Sequence, residues 1–275
     1  MAANEPGVNL EEATRIAGSD GKFHVKLADA WEIWGPNGGY LAAIALRAAG
    51  KVAQIQQPAS LYCHFLSSPL FEEVQLDVQL LKKGRRSESL SVRMRQGEKH
   101  ILQALVRTAA DAPGYEHQQL EVPAVSPPHN LKSYDELWAG HGESPRYKFW
   151  RNIEARPVAQ QTENKSGQAV SRDWARFRPQ ACFDDLFVDA ARSLILLDTY
   201  GWPAAWSRYR DNRYIAPNLD TSAWFHQFSP RSEWLLIDHA CPVATGGLLG
   251  VQGQVWDING KLLATGGAQL CCLPA

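Results

Sequence analysis

The sequence predicts an α+β fold made of two similar units in tandem, each an antiparallel sheet packed around one helix. Residues 41–50 form an alanine- and leucine-rich run with helical periodicity, and runs of alternating polar and apolar residues follow it. Short segments of the first half also recur in the second half. Because the predicted helix is apolar on nearly all sides, we expect a sheet to wrap around it.

The first unit is organised around a turn that leads into this helix, Gly35-Pro36-Asn37-Gly38-Gly39-Tyr40. Proline and the two glycines break the preceding structure, and the residues that follow have high helix propensity. Backbone N–H groups at a helix N-terminus are unpaired and carry partial positive charge. The turn could therefore hold a carbonyl oxygen or a developing oxyanion, and a close-packed turn without a ligand is the alternative.

The other elements of the first unit are strands. Alternation of polar and apolar residues, or a short apolar run, identifies each of them. Charged residues 82–86 and Gly97-Glu98-Lys99 mark the turns between the later ones. The predicted strands lie at 22–27, 31–34, 61–66, 72–81, 87–96 and 101–106.

A proline-rich stretch without sustained periodicity separates the two units, and we expect it to cross the surface as a linker with one helical turn at 134–138. The predicted organisation is an N-terminal unit at 1–110, a linker at 111–145 and a C-terminal unit at 146–275. In the second unit we predict a helix at 184–200 capped by Asp184, and an Asn259-Gly260 hairpin turn. Its strands are predicted at 149–156, 173–178, 219–228, 233–240, 248–257 and 261–270, with a polar loop at 160–168.

Two pairs of segments support an internal duplication. Tyr62-Cys63-His64-Phe65-Leu66-Ser67-Ser68-Pro69 is similar to Trp224-Phe225-His226-Gln227-Phe228-Ser229-Pro230, and the region after Gly97 is similar to the region after Asn259. A sheet wrapped on a single helix leaves an edge strand unpaired, and such units pair with each other. Two copies on one chain would form an internal pseudo-dimer.

Composition excludes several classes of function. The 28 basic and 29 acidic residues give a net charge of −1, which predicts no nucleic-acid partner. The five cysteines lack a Cys-x-x-Cys pair and the histidines lack metal-ligand spacing, so we predict neither a disulfide framework nor a metal site, and no cofactor. No stretch reads as a membrane span or leader, and we expect a cytoplasmic protein.

Four motifs in order resemble those of the acyl-CoA thioesterase II-like (TesB-like) family. They are the glycine turn before the alanine-rich helix, Asp220-Thr221-Ser222-Ala223-Trp224-Phe225-His226, Glu233-Trp234-Leu235-Leu236 and Gly260-Lys261-Leu262-Leu263-Ala264-Thr265-Gly266. The resemblance covers nearly the whole chain. It implies a double hotdog fold, a homodimer or larger homo-oligomer, and hydrolysis of acyl-CoA to free acid and CoA at the junction of the halves, within fatty acid metabolism.

The resemblance also implies a set of catalytic residues. In the family an Asp, a Thr or Ser, and a Gln hold and polarise a water, and Asp220 matches the first of them. The hydroxyl position falls on Pro242, with Thr245 three residues later, and the amide position falls on Ala268, with Gln269 beside it. We take Asp220, Thr245 and Gln269 as a degraded version of this triad. Gln269 can replace the amide only if a bulge turns its side chain to the required face.

Thioester hydrolysis needs a group that orients water and donors for the carbonyl oxygen. We predict the first role for Asp220, whose alternative is a strand-edge or capping carboxylate, and the second for the N–H groups of Gly38 and Gly39. The predicted substrate-binding residues are Asn37, Gly38, Gly39, Tyr40, His64 and Trp224. Asn37 could equally serve the turn alone, and a histidine in an apolar strand is more often a hydrogen-bonded core residue than a base.

No Gly-x-Ser-x-Gly motif is present, which argues against a serine hydrolase of the usual α/β type. The expected substrate is an acyl-CoA or an acyl-carrier thioester. Two alternatives remain open because two of the three polar positions differ: a protein that binds an acyl thioester or another apolar ligand without hydrolysing it, and an enzyme that modifies a thioester-bound intermediate on the same scaffold.

Overall fold

The computed structural model describes residues 7–139, 147–158, 167–211 and 213–275. The N-terminal half contains α1 (Leu10–Ala13), β1 (Ala17–Ser19), β2 (Lys22–Lys26), α2 (Gly38–Val52), β3 (Pro58–Phe65), β4 (Glu73–Lys83), β5 (Ser87–Gln96) and β6 (Lys99–Ala109). The linker carries α3 (Tyr134–Trp138). The C-terminal half contains β7 (Ile153–Pro157), β8 (Val170–Phe177), α4 (Leu186–Thr199), α5 (Gly201–Tyr209), β9 (Tyr214–Ile215), β10 (Asp220–Phe225), β11 (Leu235–Thr245), β12 (Leu248–Asp257), β13 (Leu262–Cys271) and β14 (Leu273–Pro274).

Twelve strands form one continuous antiparallel sheet in the order β1-β2-β4-β5-β6-β3-β10-β13-β12-β11-β8-β7. Counted from either edge, the two halves have the same internal order: a short hairpin, three long strands, and the strand that follows the helix. Each half of the sheet packs against its own helix, α2 or α4. This arrangement confirms the predicted double hotdog, two copies of one unit joined edge to edge.

The register at the junction of β3 and β10 is that of a two-fold axis. Ser60 pairs with Trp224, and Tyr62 pairs with Ser222. If Tyr62 corresponds to Trp224, and Ser60 to Ser222, exchanging the two halves converts one of these pairs into the other. The Leu61–Ala223 pair lies at the centre. The predicted correspondence of Tyr62 with Trp224 is therefore the one that the strand pairing uses.

The central helices pack against each other in antiparallel orientation through small residues. A Cβ on Gly39 would lie 2.8 Å from the Ile195 Cα, and a Cβ on Gly50 would lie 2.9 Å from the Phe187 ring. The N-terminus of α2 thus meets the C-terminus of α4. Asn37 begins α2 by accepting a hydrogen bond from the Tyr40 N–H at 2.9 Å. Nearly all of α2 is buried, as its sequence predicts.

Some predicted elements differ in detail. Residues 31–34 do not form a strand: a 3₁₀ turn covers Asp29–Trp31, and Trp34 has a positive φ of 55°, a conformation that ends an extended run. The N-cap of α4 is Asp185, whose carboxylate accepts from the Phe187 N–H at 2.8 Å, and not Asp184. A 3₁₀ turn covers Lys148–Arg151, where the strand predicted at 149–156 was expected to begin.

The linker lies on the outer face of the C-terminal sheet. The Trp174 indole N–H donates to the Ser126 carbonyl at 2.9 Å, and the Arg156 guanidinium donates to the carbonyls of Pro128 and Leu131. The predicted helical turn is α3, which begins with a capping box between Ser133 and Glu136. Linker residues 140–145 and most of the predicted loop 160–168, residues 160–166, lie outside the described residues.

Within the described part of the chain, no helix has both the length and the apolar character needed to cross a bilayer.

Candidate active site

A cavity of about 900 Å³ lies where the N-terminus of α2 meets the C-terminus of α4. Seven aromatic side chains line it: Trp34, Phe65, Tyr147, Trp150, Trp202, Trp206 and Tyr214. Its polar side chains lie on Asn37, Ser67, Ser68, Asp198, Thr199 and Asn218. Among the described lining residues, Asp198 is the only Asp, Glu, Lys, Arg or His. The volume is within the range of small-molecule sites, so this is the candidate site for an apolar ligand.

The glycine turn lies at this cavity. Asn37 and Gly38 line it directly. The Gly39 N–H donates to the Asp198 carboxylate at 2.6 Å and the Tyr40 N–H donates to Asn37, so both are occupied. The Gly38 N–H has no hydrogen-bond partner among the described residues. Gly38, rather than Gly39, therefore has the donor that is free for a ligand at the positive end of α2.

The carboxylate at this turn belongs to Asp198, near the C-terminus of α4. Its Oδ2 accepts from the Gly39 N–H, and its Oδ1 accepts from the Asn218 side-chain amide at 2.7 Å. Asp198 is 4% exposed. Burial raises the pKa of Asp198 to about 7, against the opposing effect of the hydrogen bonds from Asn218 and Gly39. A carboxyl with a pKa near neutrality can accept and return a proton during catalysis.

Two neutral side chains complete the polar end of the cavity. The Asn37 amide donates to the Thr199 hydroxyl oxygen at 3.2 Å, and this leaves the hydroxyl proton of Thr199 without an acceptor among the described residues. Asn218 also donates to the Asp198 carbonyl at 2.8 Å. A carboxylate, a hydroxyl and an amide thus lie together beside the helix N-terminus. These are the same chemical groups that the family resemblance implies, on different residues.

The expectation that Asp220 projects toward the glycine turn is wrong. Along β10 the buried side chains are Thr221, Ala223 and Phe225, so Asp220 lies on the opposite, outer face of the sheet. Its Oδ1 accepts from the Gln269 backbone N–H at 2.9 Å. Asp220 lines a second cavity, of about 610 Å³, which shares no lining residue with the first.

The second cavity brings together the positions that match the family motifs. Asp220, Pro242, Ala268 and Gln269 all line it, whereas Thr245 does not. Thr245 is exposed at the far end of β11, and the register of β12 with β13 runs without a bulge through Gln269. The bulge lies instead between Ala240 and Val243, where Pro242, which has no N–H, is tolerated. Gln269 therefore points outward, opposite to Ala268, and Thr245 does not join Asp220.

Tyr40 is a core residue rather than part of the cavity wall. Its side chain is fully buried and stacks on Trp31 with ring centroids 5.4 Å apart. The hydroxyl donates to the Ala13 carbonyl at 2.9 Å and accepts from the Ala28 N–H at 3.1 Å. Burial raises the pKa of Tyr40 to about 12. The prediction that Tyr40 contacts substrate is wrong for this cavity.

His64 and Trp224 lie on the outer face of the sheet. His64 is opposite Asp220 in the strand pairing and is exposed, and Trp224 is 43% exposed with its ring edge-to-face against Tyr62. Trp224 lines the second cavity, and neither residue lines the first. Their alternation with buried Cys63 and Phe225 places them there, because successive side chains in a strand face opposite sides.

The sequence analysis missed Asp198, Thr199 and Asn218. A signal was present: Asp198-Thr199 follows an otherwise apolar helical run, Leu194-Ile195-Leu196-Leu197. A negative charge near a helix C-terminus interacts unfavourably with the helix dipole, and such a placement favours a functional role for the acid. Its proximity to the glycine turn depends on the antiparallel packing of α2 and α4, which no local pattern predicts.

Two family models match the chain. The acyl-CoA thioesterase N-terminal domain matches residues 27–109, and the acyl-CoA thioesterase C-terminal domain matches residues 92–273. The chain belongs to the acyl-CoA thioesterase family. Membership supports hydrolysis of acyl-CoA thioesters in general terms. None of the curated protein sequences gives a significant match.

Solved structures show the same fold at low sequence identity. The chain is similar to a hot dog fold protein of unknown function from Alicyclobacillus acidocaldarius (18% identity, TM-score 0.84, covering 97% of this chain and 98% of that chain). It is also similar to the acyl-CoA thioesterase II TesB2 from Mycobacterium marinum (20% identity, TM-score 0.81, covering 97% of this chain and 99% of that chain). A third similar structure is the tesB protein of Mycobacterium avium subspecies paratuberculosis (21% identity, TM-score 0.80, covering 96% of this chain and 98% of that chain). The similarity spans both halves in each case.

The described residues contain no group of three or more His, Cys, Asp or Glu side chains arranged to hold a metal ion.

Proposed function

We propose that this chain hydrolyses acyl-CoA, or a related acyl thioester, in the cavity between the N-terminus of α2 and the C-terminus of α4. The observation that carries the proposal is the buried Asp198 carboxyl beside the helix N-terminus, at the polar end of an otherwise apolar cavity of about 900 Å³. The acyl group occupies the apolar part, and its carbonyl lies at the polar end. Family membership supports the reaction type.

The mechanism uses water as the nucleophile. Asp198 and the Thr199 hydroxyl hold the water, and the Gly38 N–H donates to the carbonyl oxygen. Asp198 takes a proton as the water oxygen attacks the carbonyl carbon, which forms a tetrahedral oxyanion at the positive end of α2. When the oxyanion collapses, the carbon–sulfur bond breaks and the proton passes from Asp198 to the leaving thiolate. The products are the free acid and the thiol.

The pKa of Asp198 gives the direction of the pH dependence. The base must be ionised to accept a proton, and burial raises its pKa to about 7. We expect kcat/KM to rise with pH and to level off above about pH 7. Loss of this ascending limb in Asp198→Asn would assign it to Asp198.

The chain offers a matched pair of variants, because Asp198 and Asp220 are the two candidate carboxylates. With a panel of acyl-CoAs, Asp198→Asn should lower kcat by about a hundredfold or more, the usual contribution of a positioned base, while Asp220→Asn stays within about twofold of wild type. The reverse result would move the reaction to the outer cavity and contradict this mechanism.

Binding without hydrolysis is the second candidate, and Pro242 and Ala268 at the matched family positions favour it. In that case, a purified protein would bind a thioether analogue of acyl-CoA and show no turnover of any acyl-CoA in the panel. The cell compartment, the oligomeric assembly and the place in fatty acid metabolism stay predictions.

A further inference from the structure

Helix α5 has no counterpart in the N-terminal half. Between α2 and β3 the chain needs only residues 53–57, whereas between α4 and β10 it runs through α5 and β9. A Cβ on Gly201 at the start of α5 would lie 2.9 Å from the Val251 side chain and 3.4 Å from that of Leu270, so the helix packs closely on β12 and β13. The extra helix therefore fills part of the space under the C-terminal sheet.

The two sides of α5 differ in residue size. Gly201, Ala204 and Ala205 are buried, which allows the close approach to the sheet. Trp202 and Trp206 are half-buried and line the cavity. They are four residues apart, one helical turn, and so lie on one face of the helix. The insertion thus brings two indole rings to one wall of the cavity.

These two rings differ from the other tryptophans of the cavity in their partners. Trp34 lies edge-to-face with Tyr147 at 6.2 Å, and Trp150 lies edge-to-face with Tyr200 at 5.9 Å. No aromatic ring of the described residues packs on Trp202 or Trp206 in this way. Trp202 packs in part against the aliphatic cluster that contains Val251 and Leu270, and both indoles also line the cavity. The indole surface that lines the cavity can therefore contact a ligand without displacing an aromatic partner.

We propose that the cavity selects thioesters of uncharged aryl-acyl groups, and that Trp202 and Trp206 are the residues that determine this preference. The inference rests on the proposed function for the position of the thioester carbonyl. Charged acyl groups are disfavoured because no Lys, Arg or His of the described residues lines the cavity to pair with an acid. The one acidic side chain among the described lining residues is Asp198, which the reaction needs, so a cationic group is disfavoured as well. Aromatic rings prefer edge-to-face or offset contacts with other rings, and indoles offer the largest faces for them.

The test compares phenylacetyl-CoA with octanoyl-CoA, which have the same number of acyl carbons. Wild type should show kcat/KM about tenfold higher for phenylacetyl-CoA, the size expected from one or two aromatic contacts. Trp202→Leu and Trp206→Leu, each checked for folding by circular dichroism, should remove most of this ratio mainly through KM for the aryl substrate. Trp138→Leu, on the linker helix α3 and away from the cavity, is the matched control and should keep the ratio.

Each outcome decides the proposal. Equal or better hydrolysis of octanoyl-CoA by wild type would overturn the aryl preference and leave the proposed hydrolysis intact. Hydrolysis of neither ester would contradict the proposed function, and calorimetric binding of the phenylethyl and octyl thioethers of CoA would then decide the preference separately. If both Trp→Leu variants fold and retain the wild-type ratio, Trp202 and Trp206 do not determine the selectivity.

Discussion

Asp198 illustrates how one residue links the architecture to the chemistry. Its carboxylate accepts hydrogen bonds from Gly39 on α2 and from Asn218 just before β10, so it joins the end of α4 to both of these segments. Burial raises the pKa of Asp198 to about 7, so ionisation of this carboxyl is less favourable in the folded state than in water. A position that serves stability alone would more often carry a neutral amide. The buried acid is therefore the feature that the proposed chemistry explains.

Gly39 is the residue on which the approach of the two helices depends. In Gly39→Ala the new Cβ would lie 2.8 Å from the Ile195 Cα and 3.0 Å from the Asp198 Cβ, both too close for undisturbed packing. We expect the free energy of unfolding to fall by about 1–3 kcal/mol, the usual effect of overpacking. Urea unfolding measures it.

Gly114→Ala is the control for this change, because nothing lies within 4 Å of the position where its Cβ would be. Its unfolding free energy should stay within about 0.5 kcal/mol of wild type. Equal stability of Gly39→Ala and wild type would show that the helices can separate at no cost.

At the scale of elements, α4 is tied to the loop after β10 by a buried ion pair. Arg192 is fully buried on α4, pairs with Asp189 one turn earlier, and donates to the carbonyls of Ala181, Ser229 and Ser232. Asp189 in turn accepts from the Ser229 N–H at 3.0 Å. The bonds to Ala181, Ser229 and Ser232 fix α4, and thereby Asp198 near its end, against neighbouring segments of the C-terminal half.

Removing the Arg192 charge should be costly. In Arg192→Leu the Asp189 carboxylate would stay buried without its partner, and we expect the free energy of unfolding to fall by about 3–5 kcal/mol. Chemical denaturation followed by circular dichroism measures it. The control is Arg172→Leu, which breaks the more exposed pair with Asp238 and should cost at most about 1 kcal/mol. Similar losses in the two variants would contradict the special role of the buried pair.

At the scale of the whole molecule, the two halves form one hydrophobic core. The largest cluster of buried side chains contains residues of both central helices, such as Ile44 of α2 and Leu194 of α4, and residues of both half-sheets. The β3–β10 ladder continues the sheet across the junction. Each half therefore depends on the other for part of its core and for the pairing of one edge strand.

We expect the chain to unfold in one cooperative transition in spite of its internal repeat. Far-ultraviolet circular dichroism and tryptophan fluorescence should give the same urea midpoint, since neither half can lose its helix packing without exposing the other. Two separated midpoints would show that the halves unfold independently and would contradict a shared core.

The sequence by itself determined the elements and their repetition. The apolar run of α2, the alternating strands and the Asn259-Gly260 turn have local causes, in helix propensity, side-chain alternation and backbone freedom at positive φ, and the structure confirms them. The similar segments around residues 62 and 224 predicted the duplication, and the structure pairs these two segments at the junction of the halves. Each of these features depends on neighbours within a few residues.

Only the tertiary structure decided which side chains meet at the cavity. Asp220 and Gln269 come together on the outer face because strand alternation and an unbulged register leave them there, while Asp198 reaches the glycine turn because α4 ends where α2 begins. Helix α5 reaches the cavity because small residues let it pack against the sheet. The two hydrogen bonds join residues 49 and 159 positions apart. The packing of the helices and the pairing of the strands bring such residues together, and no local pattern in the chain records either.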